Sequence, residues 1–406
     1  MKILVITSHL PHRRSISGHQ IVYQRIRRLM DAGHQVGLCS LRGTAEGTGN
    51  DPLYDQLSDL RVLPAPARAS LARRVRDYTL SRIPPPYWPY HSPAMYRAVG
   101  DMVHEADYDV VLAEFSQMGQ YLYENPWLPA VRTIISAHEC ASISTRTPLF
   151  LPQRTWARSV AEHLIQRDLR RFEFDLYRSV DRVLTLTRAD KFTLQMYAPE
   201  LRVSVVPPGV DHDYFSLEGV GSSESSIVFT GQFSDPANRD GIEWFLEHSW
   251  PKLRQLHPQL IFYVLGPNLP PHTYALARRH PGVRLPGEMA DIRPYLAKAK
   301  AFVCPVRMGS GLKMKILEAM SAGVPVVTTS IGAEGIPVQS GVNAMLADEP
   351  QMLAEAVDLL ISDPLFAKRM AEQAHRMVRE RFNWDLSMKS LESVLRDVVK
   401  TGSASR

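Results

Sequence analysis

Short apolar runs bounded by turn residues, most of them followed by a stretch of helical periodicity, recur along almost the whole chain and constrain its fold more than any other feature. They include KILVITS from Lys2, HQVGLCSL from His34, YDVVLAEF from Tyr108, RTIISAHE from Arg132 and DRVLTLT from Asp181. Between them lie patterns such as GHQIVYQRIRRLMDAGH, in which Ile21, Val22, Ile26 and Leu29 share one face before Gly33 stops the helix. Continuously apolar strands are buried on both faces, and strands that alternate with helices build parallel sheets covered on both sides. The expectation is an α/β protein.

The alternation pauses once and restarts. After VSVVPPGVDHDYF comes SLEGVGSSESS, poor in apolar residues and rich in Gly and Ser, and then SIVFTG, LIFYVLG, VRLPG, AFVCPV and VPVVTTS. A chain of 406 residues is too long for one ordinary core and suits two of roughly 200 residues each. The expected organisation is two doubly wound, Rossmann-like domains, residues 1–210 and 226–383, with a linker at 211–225. Ligands of such sheets sit outside the carboxyl ends of the strands, so a central cleft facing both domains is expected.

Composition excludes little. A net charge of +5, from 47 basic and 42 acidic residues, is too mild to indicate nucleic acid. Cys39, Cys140 and Cys304 lie far apart and read as buried thiols of a reducing compartment. The apolar run of MKILVITSHLP is too short for a signal peptide, and no segment reaches the ~18 apolar residues of a spanning helix. The expectation is a cytoplasmic protein with at most a peripheral contact at the inner face of the membrane. IPPPYWPY is expected to be an irregular connection because its prolines remove donors. Residues 153–181 read as one long helix, whose arginines are interleaved with Glu162, Asp168, Glu173 and Asp175 as on a solvated face.

Chemistry concentrates in PVRMGSGLKMKILEAMSAGVPVVTTS, residues 305–330. The strand AFVCPV leads into a turn at 307–310, then a helix predicted over 311–322 with Leu312, Ile316, Leu317 and Met320 toward the core. Glycines at 309 and 311 let the backbone approach a bound group, the first amides of the helix carry partial positive charge, and Arg307 and Lys313 add full charges. Such a turn suits a phosphate or diphosphate. Glu318 lies too deep in the helix to be a dipole-favoured acid: either Lys315, three residues before it, satisfies the carboxylate, or it accepts two hydrogen bonds from a ribose diol. Lys315 itself lies about 200° around the helix from Lys313 and reads as pointing elsewhere.

At these residues the chain resembles the retaining glycosyltransferases of the family-4 type (glycosyl transferases group 1), which have the GT-B architecture. The likeness is strongest from VFTGQFSDPANRDGIEWF through LPGEMADIRPYLAKAKAFVCPVRMGSGLKMKILEAMSAGVPVVTTSIGAEGI, and weaker in SGHQIVYQRIRRLMDAGHQV and VVPPGVDHDYF. It implies a nucleoside-diphosphate sugar, UDP- or GDP-linked, as co-substrate, with no other cofactor. Donor contacts are implied at Gly18, Gly231, Gly309, Ser310, Gly311 and Leu312, and catalytic roles at His138, Arg307, Lys313 and Glu318. His138 would contact the donor sugar near the reacting carbon; otherwise it is an ordinary strand-end histidine. Two departures stand out: Ser310 occupies the place of a glutamate found in many members, and SDPANRDG offers only Arg239 where members carry an Arg-Lys pair.

HEC at His138 lacks the second histidine of a zinc motif, since residue 142 is Ser, and the Asp211 to Asp213 DHD matches the family's domain connection; no metal is expected. The resemblance also implies a C-terminal helix, 384–406, crossing back to the first domain. The expected acceptor is a sugar, a lipid-linked glycan or a small molecule carrying a hydroxyl, in polysaccharide or glycoconjugate synthesis. A GT-B protein that does not transfer, either a sugar-nucleotide epimerase or a donor-binding subunit, remains the alternative.

Overall fold

The computed structural model describes residues 1–12, 18–42, 51–66, 83–140, 142, 156–216, 225–309 and 311–403. The chain forms two compact units, Met1–Pro207 with Met388–Arg406, and Pro208–Ser387.

The first unit is built on β1 (Lys2–Thr7), β2 (Gln35–Arg42), β3 (Asp59–Pro64), β4 (Val110–Glu114), β5 (Arg132–Ala137), β6 (Arg182–Thr185) and β7 (Val203–Val205). Their order is β3-β2-β1-β4-β5-β6-β7, and the pairings are parallel. Its helices are α1 (Gly18–Asp31), α2 (Pro93–Ala106), α3 (Trp156–Ser179) and α4 (Arg188–Tyr197). Alternate strand residues feed two cores: Leu4, Ile6, Val111 and Ala113 on one face, Ile3, Val5, Val110 and Leu112 on the other. Met388, Leu391, Leu395 and Val398 of the last helix, Trp384–Ser403, complete the second core.

The second unit carries β8 (Ser226–Thr230), β9 (Ile261–Leu265), β10 (Val283–Gly287), β11 (Ala299–Cys304), β12 (Val326–Thr328) and β13 (Met345–Leu346), in the order β10-β9-β8-β11-β12-β13. All its pairings are parallel as well. Its helices are α5 (Pro236–His248), α6 (Trp250–Leu256), α7 (Pro271–Arg278), α8 (Arg293–Leu296), α9 (Met314–Ser321), α10 (Pro350–Ser362) and α11 (Pro364–Arg381). Both sheets therefore reverse strand order beside their first strand, between β1 and β4 and between β8 and β11. In open α/β sheets that reversal opens a crevice at the carboxyl ends.

Two local expectations need correction. The proline run is not irregular: Pro85–Tyr90 is a 3-10 helix. Pro85 and Pro86 occupy its first positions, where no donor is required, Tyr87 is wholly buried, and the Trp88 indole donates to the Ile83 carbonyl at 2.8 Å. The helix predicted from residue 311 starts at Met314 instead. Gly309 and Gly311 sit at φ +92° and +79°, left-handed conformations that hold the chain in a turn until Lys313. Of the predicted linker, residues 217–224 lie outside the described residues, while residues 211–216 belong to the second unit. Cys39 and Cys304 are buried and Cys140 is half-buried, all three as thiols. Among the described residues no helix is long and apolar enough to cross a membrane.

Candidate functional site

In the second unit, three backbone features meet at the carboxyl ends of β8 and β11. Gly231 follows β8; a Cβ there would lie 3.0 Å from the Asn238 Cγ and 3.1 Å from the Lys315 Nζ. The first turn of α5 is capped by Asp235, whose carboxylate accepts from the Ala237 amide at 2.9 Å. The Gly309 turn faces that same helix start, its Cβ position lying 3.9 Å from the Ala237 Cβ. Gly241 lets α5 come this close to the sheet, because a Cβ at that position would fall 2.7 Å from the Pro305 carbonyl oxygen.

The charged residues sort themselves differently from expectation. Arg307 is bound at both ends of its guanidinium by Asp240 of α5, at 2.8 and 3.1 Å, and lies over the Trp244 ring, 4.5 Å from its centroid. Lys313 donates to the Gly311 carbonyl at 2.7 Å and is the residue just before α9, without a side-chain capping hydrogen bond. Arg239 is turned onto the carbonyls of Phe233 and Ser234. Lys315 stands in the first turn of α9, where a long side chain points back toward the helix start. Its ammonium donates to the Asn238 Oδ1 at 2.5 Å and sits 4.4 Å over the Phe229 ring.

Glu318 is therefore not paired with Lys315, and among the described residues its carboxylate has no hydrogen bond or ion pair. Burial pushes its carboxyl up to about 7, with only a partial opposing effect from the Lys315 charge. Burial likewise lowers Lys315, against the carboxylate charges of Asp235 and Glu318. The site holds a carboxylate and an ammonium, neither of them neutralised by an ion pair among the described residues. Asp211, of the DHD segment, accepts from the Tyr214 amide at 3.1 Å and shapes a turn.

In the first unit, the carboxyl ends of β4 and β5 bring Glu114 and His138 together. The imidazole Nε2 lies 2.7 Å from the Glu114 Oε2, and Arg25 of α1 holds both oxygens of that carboxylate at 3.1 Å. Arg25 also donates to the Ser136 hydroxyl at 2.8 Å and to the Val206 carbonyl. Burial works to raise the Glu114 carboxyl, but the Arg25 charge and the His138 hydrogen bond outweigh it and hold it near about 2. Burial lowers His138 despite the Glu114 contact. A neutral imidazole beside an ionised carboxylate donates through Nε2, so Nδ1 carries the lone pair, and among the described residues that buried atom has no partner.

Gly18, the first residue of α1, explains itself at this point: a Cβ would lie 2.8 Å from the Phe115 ring and 3.1 Å from the His138 Nδ1. Phe115 itself has φ +74° and packs in tilted contact with the His138 and His19 rings, with centroids at 4.3 and 4.7 Å. Burial, then repulsion from His9, His138 and His12, lowers His19 to about 3.

Of the residues singled out in sequence, Gly231, Arg307, Gly309, Gly311, Leu312, Lys313 and Glu318 lie on the carboxyl-end segments of the second sheet, and Gly18 and His138 meet in the first. Ser310 lies outside the described residues. Arg25, Glu114, Asn238 and Lys315 were missed. Arg25 could have been found, since it occupies the stripe Ile21, Arg25, Leu29 of the buried face.

Two doubly wound parallel sheets, each with its crevice-forming reversal, together define a GT-B protein. Residues 19–214 match the family described as Glycosyltransferase Family 4, and residues 224–363 match that described as Glycosyl transferases group 1. The chain belongs to this group of GT-B glycosyltransferases. It is 26% identical over 206 residues to an uncharacterized glycosyltransferase of Methanocaldococcus jannaschii, an alignment covering 46% of this chain and 52% of that protein. An uncharacterized 44.6 kDa protein in the cps region of Klebsiella pneumoniae is 20% identical over 98% of this chain and 99% of its own length. Among solved structures, Anabaena HepE in complex with UDP and glucose superposes with a TM-score of 0.69 at 17% identity, covering 97% of this chain and 99% of that one.

Proposed function

We propose that the protein transfers a sugar from a nucleoside-diphosphate donor to an acceptor hydroxyl with retention of anomeric configuration. The observation that carries this reading is Glu318, a carboxylate without a partner among the described residues, on the helix that opens from the left-handed Gly309 and Gly311 turn. A ribose diol supplies two donors to one carboxylate, and the diphosphate then falls toward the amides and Lys313 at the helix start. The UDP bound by the Anabaena structure favours a uridine donor, although GDP-linked sugars fit the same chemistry. The Klebsiella relative's place in a cps region favours a sugar or lipid-linked acceptor in polysaccharide synthesis.

The reaction breaks the bond between the anomeric carbon and the diphosphate oxygen and forms one to the acceptor oxygen on the same face. The acceptor proton passes to the departing phosphate oxygen. Lys313 and the amides at the turn act on charge that grows in the transition state, where one well-placed donor contributes about 3 kcal/mol, and a bound metal is not required for that role. His138 accepts a hydrogen bond from a donor-sugar hydroxyl through Nδ1. The test is a thermal-shift screen over UDP, GDP and ADP sugars, followed by transfer to a hydroxyl acceptor with the anomeric configuration read by NMR. Stabilisation by none of the three overturns donor binding; epimerisation of the donor without acceptor overturns transfer.

A further inference from the structure

Lys315 is placed where a structural lysine has little reason to be. It lies in the first turn of α9, where the helix dipole disfavours a cation. Its ammonium is lodged between the Phe229 ring, the Asn238 amide oxygen and the Gly231 backbone. Among the described residues no carboxylate comes within ion-pair distance of it. Asn238 has been oriented for this contact, because its own amide nitrogen is held by the Gln232 carbonyl at 2.8 Å and by Asp235 at 3.2 Å, leaving the oxygen to face the lysine. A half-buried cation with no counter-ion among the described residues is costly, and it sits where the starts of α5 and α9 converge.

We propose that Lys315 is the cation that receives the donor's diphosphate, held in place for it by Asn238. The assignment rests on the nucleotide-sugar reading above, and it replaces Arg307 as the principal full charge, because Asp240 already neutralises that guanidinium. Burial lowers the lysine's affinity for its proton in the empty site, and an arriving diphosphate restores the charged form. Gly231 is then glycine because a side chain would occupy the space beside the ammonium.

The test compares binding of UDP and of uridine, or GDP and guanosine if the thermal screen selects them, in the full-length protein. Lys315→Met is expected to raise the Kd for the diphosphate by about 30-fold or more while changing that for the nucleoside less than threefold. The ligand-free melting temperature should hold or rise, since a half-buried ammonium has been removed. Asn238→Ala, which keeps the charge, should cost the diphosphate no more than about fivefold. Equal losses for diphosphate and nucleoside, or no loss, would overturn the role of Lys315 while the nucleotide reading stands. Equal diphosphate losses in Lys315→Met and Asn238→Ala would make the lysine a mere partner of Asn238, and a parent protein that binds none of the nucleotides would overturn both proposals.

Discussion

The two sheets share a central strand order but treat buried charge in opposite ways at their crevices. In the first unit Glu114 is neutralised by Arg25 and also accepts from His138 Nε2, both members of the ion pair are about 1% exposed, and the Glu114 carboxyl is held down to about 2. In the second, Lys315 and Glu318 lie on one helix without pairing, and Glu318 is pushed up to about 7. The same topology thus supports a closed network in one place and an open one in the other. Closed networks rigidify, whereas unpartnered charges are poised for a ligand. The first unit's polar core should matter to folding, and the second's to binding.

The comparison breaks most easily at Arg25. Arg25→Met leaves Glu114 buried beside a neutral imidazole, and removing one partner of a buried pair costs about 3–5 kcal/mol. Urea unfolding should show the first unit's transition at markedly lower denaturant, with UDP binding by the second unit retained wherever both remain folded. A loss below about 1 kcal/mol would mean that the pair adds nothing to a core that could do without it. Next in size is His138→Ala. It leaves the Arg25–Glu114 pair in place, so turnover should fall by about a hundredfold while donor affinity moves less than threefold. An unchanged kcat would return His138 to the status of a strand-end histidine.

How legible these sites were depended on whether their signal was local. Strand runs such as KILVITS and YDVVLAEF announced both sheets, because full burial writes itself as unbroken hydrophobicity. The Gly309 turn and Glu318 were also visible, one through glycine and the other as an acid in an apolar helix. The start of α9 was not, since the one residue of capping type in MGSGLK, Ser310, comes three positions before Lys313, which precedes the helix, and the positive φ of two glycines delays its start to Met314. That three-residue shift undid the reading of Lys315: with Lys313 outside the helix, the angle between the two lysines says nothing about where either points. The Lys315–Asn238 contact joins residues 77 apart and Arg25–Glu114 residues 89 apart. Nothing in either local sequence announces such a partner, although a charged residue on the buried stripe of α1 requires one.

Glu318 sharpens the other half of the comparison. Glu318→Ala should weaken UDP or GDP binding by about 1.5–3 kcal/mol, the range for hydrogen bonds to a charged group, and Glu318→Gln by less, because the amide still accepts one hydroxyl. Calorimetry on both variants beside the parent settles it, and parent-like affinity in both would make Glu318 a buried acid of no consequence to the ligand.

The smallest effect is also the most specific, because it follows from the direction of one titration. The Glu318 carboxyl is raised from 4.5 to about 7 in the ligand-free protein, and a diol is held best by its ionised form. Affinity should therefore be full above pH 7 and fall as pH drops below it, approaching tenfold per unit. The nucleoside, uridine or guanosine, is the proper probe, since a diphosphate titrates near pH 6 itself and would confound the slope. Glu318→Gln should flatten the profile. Stability must run the other way: a carboxyl raised by folding favours the native state while protonated, so that contribution is present below about 4.5 and is lost as pH rises through about 7. Without ligand, Glu318→Gln should then melt above the parent at pH 8 and level with it near pH 5. A carboxylate paired within the protein, as Glu114 is, would give the opposite sign, so the melting difference at pH 8 alone tells a closed network from an open one.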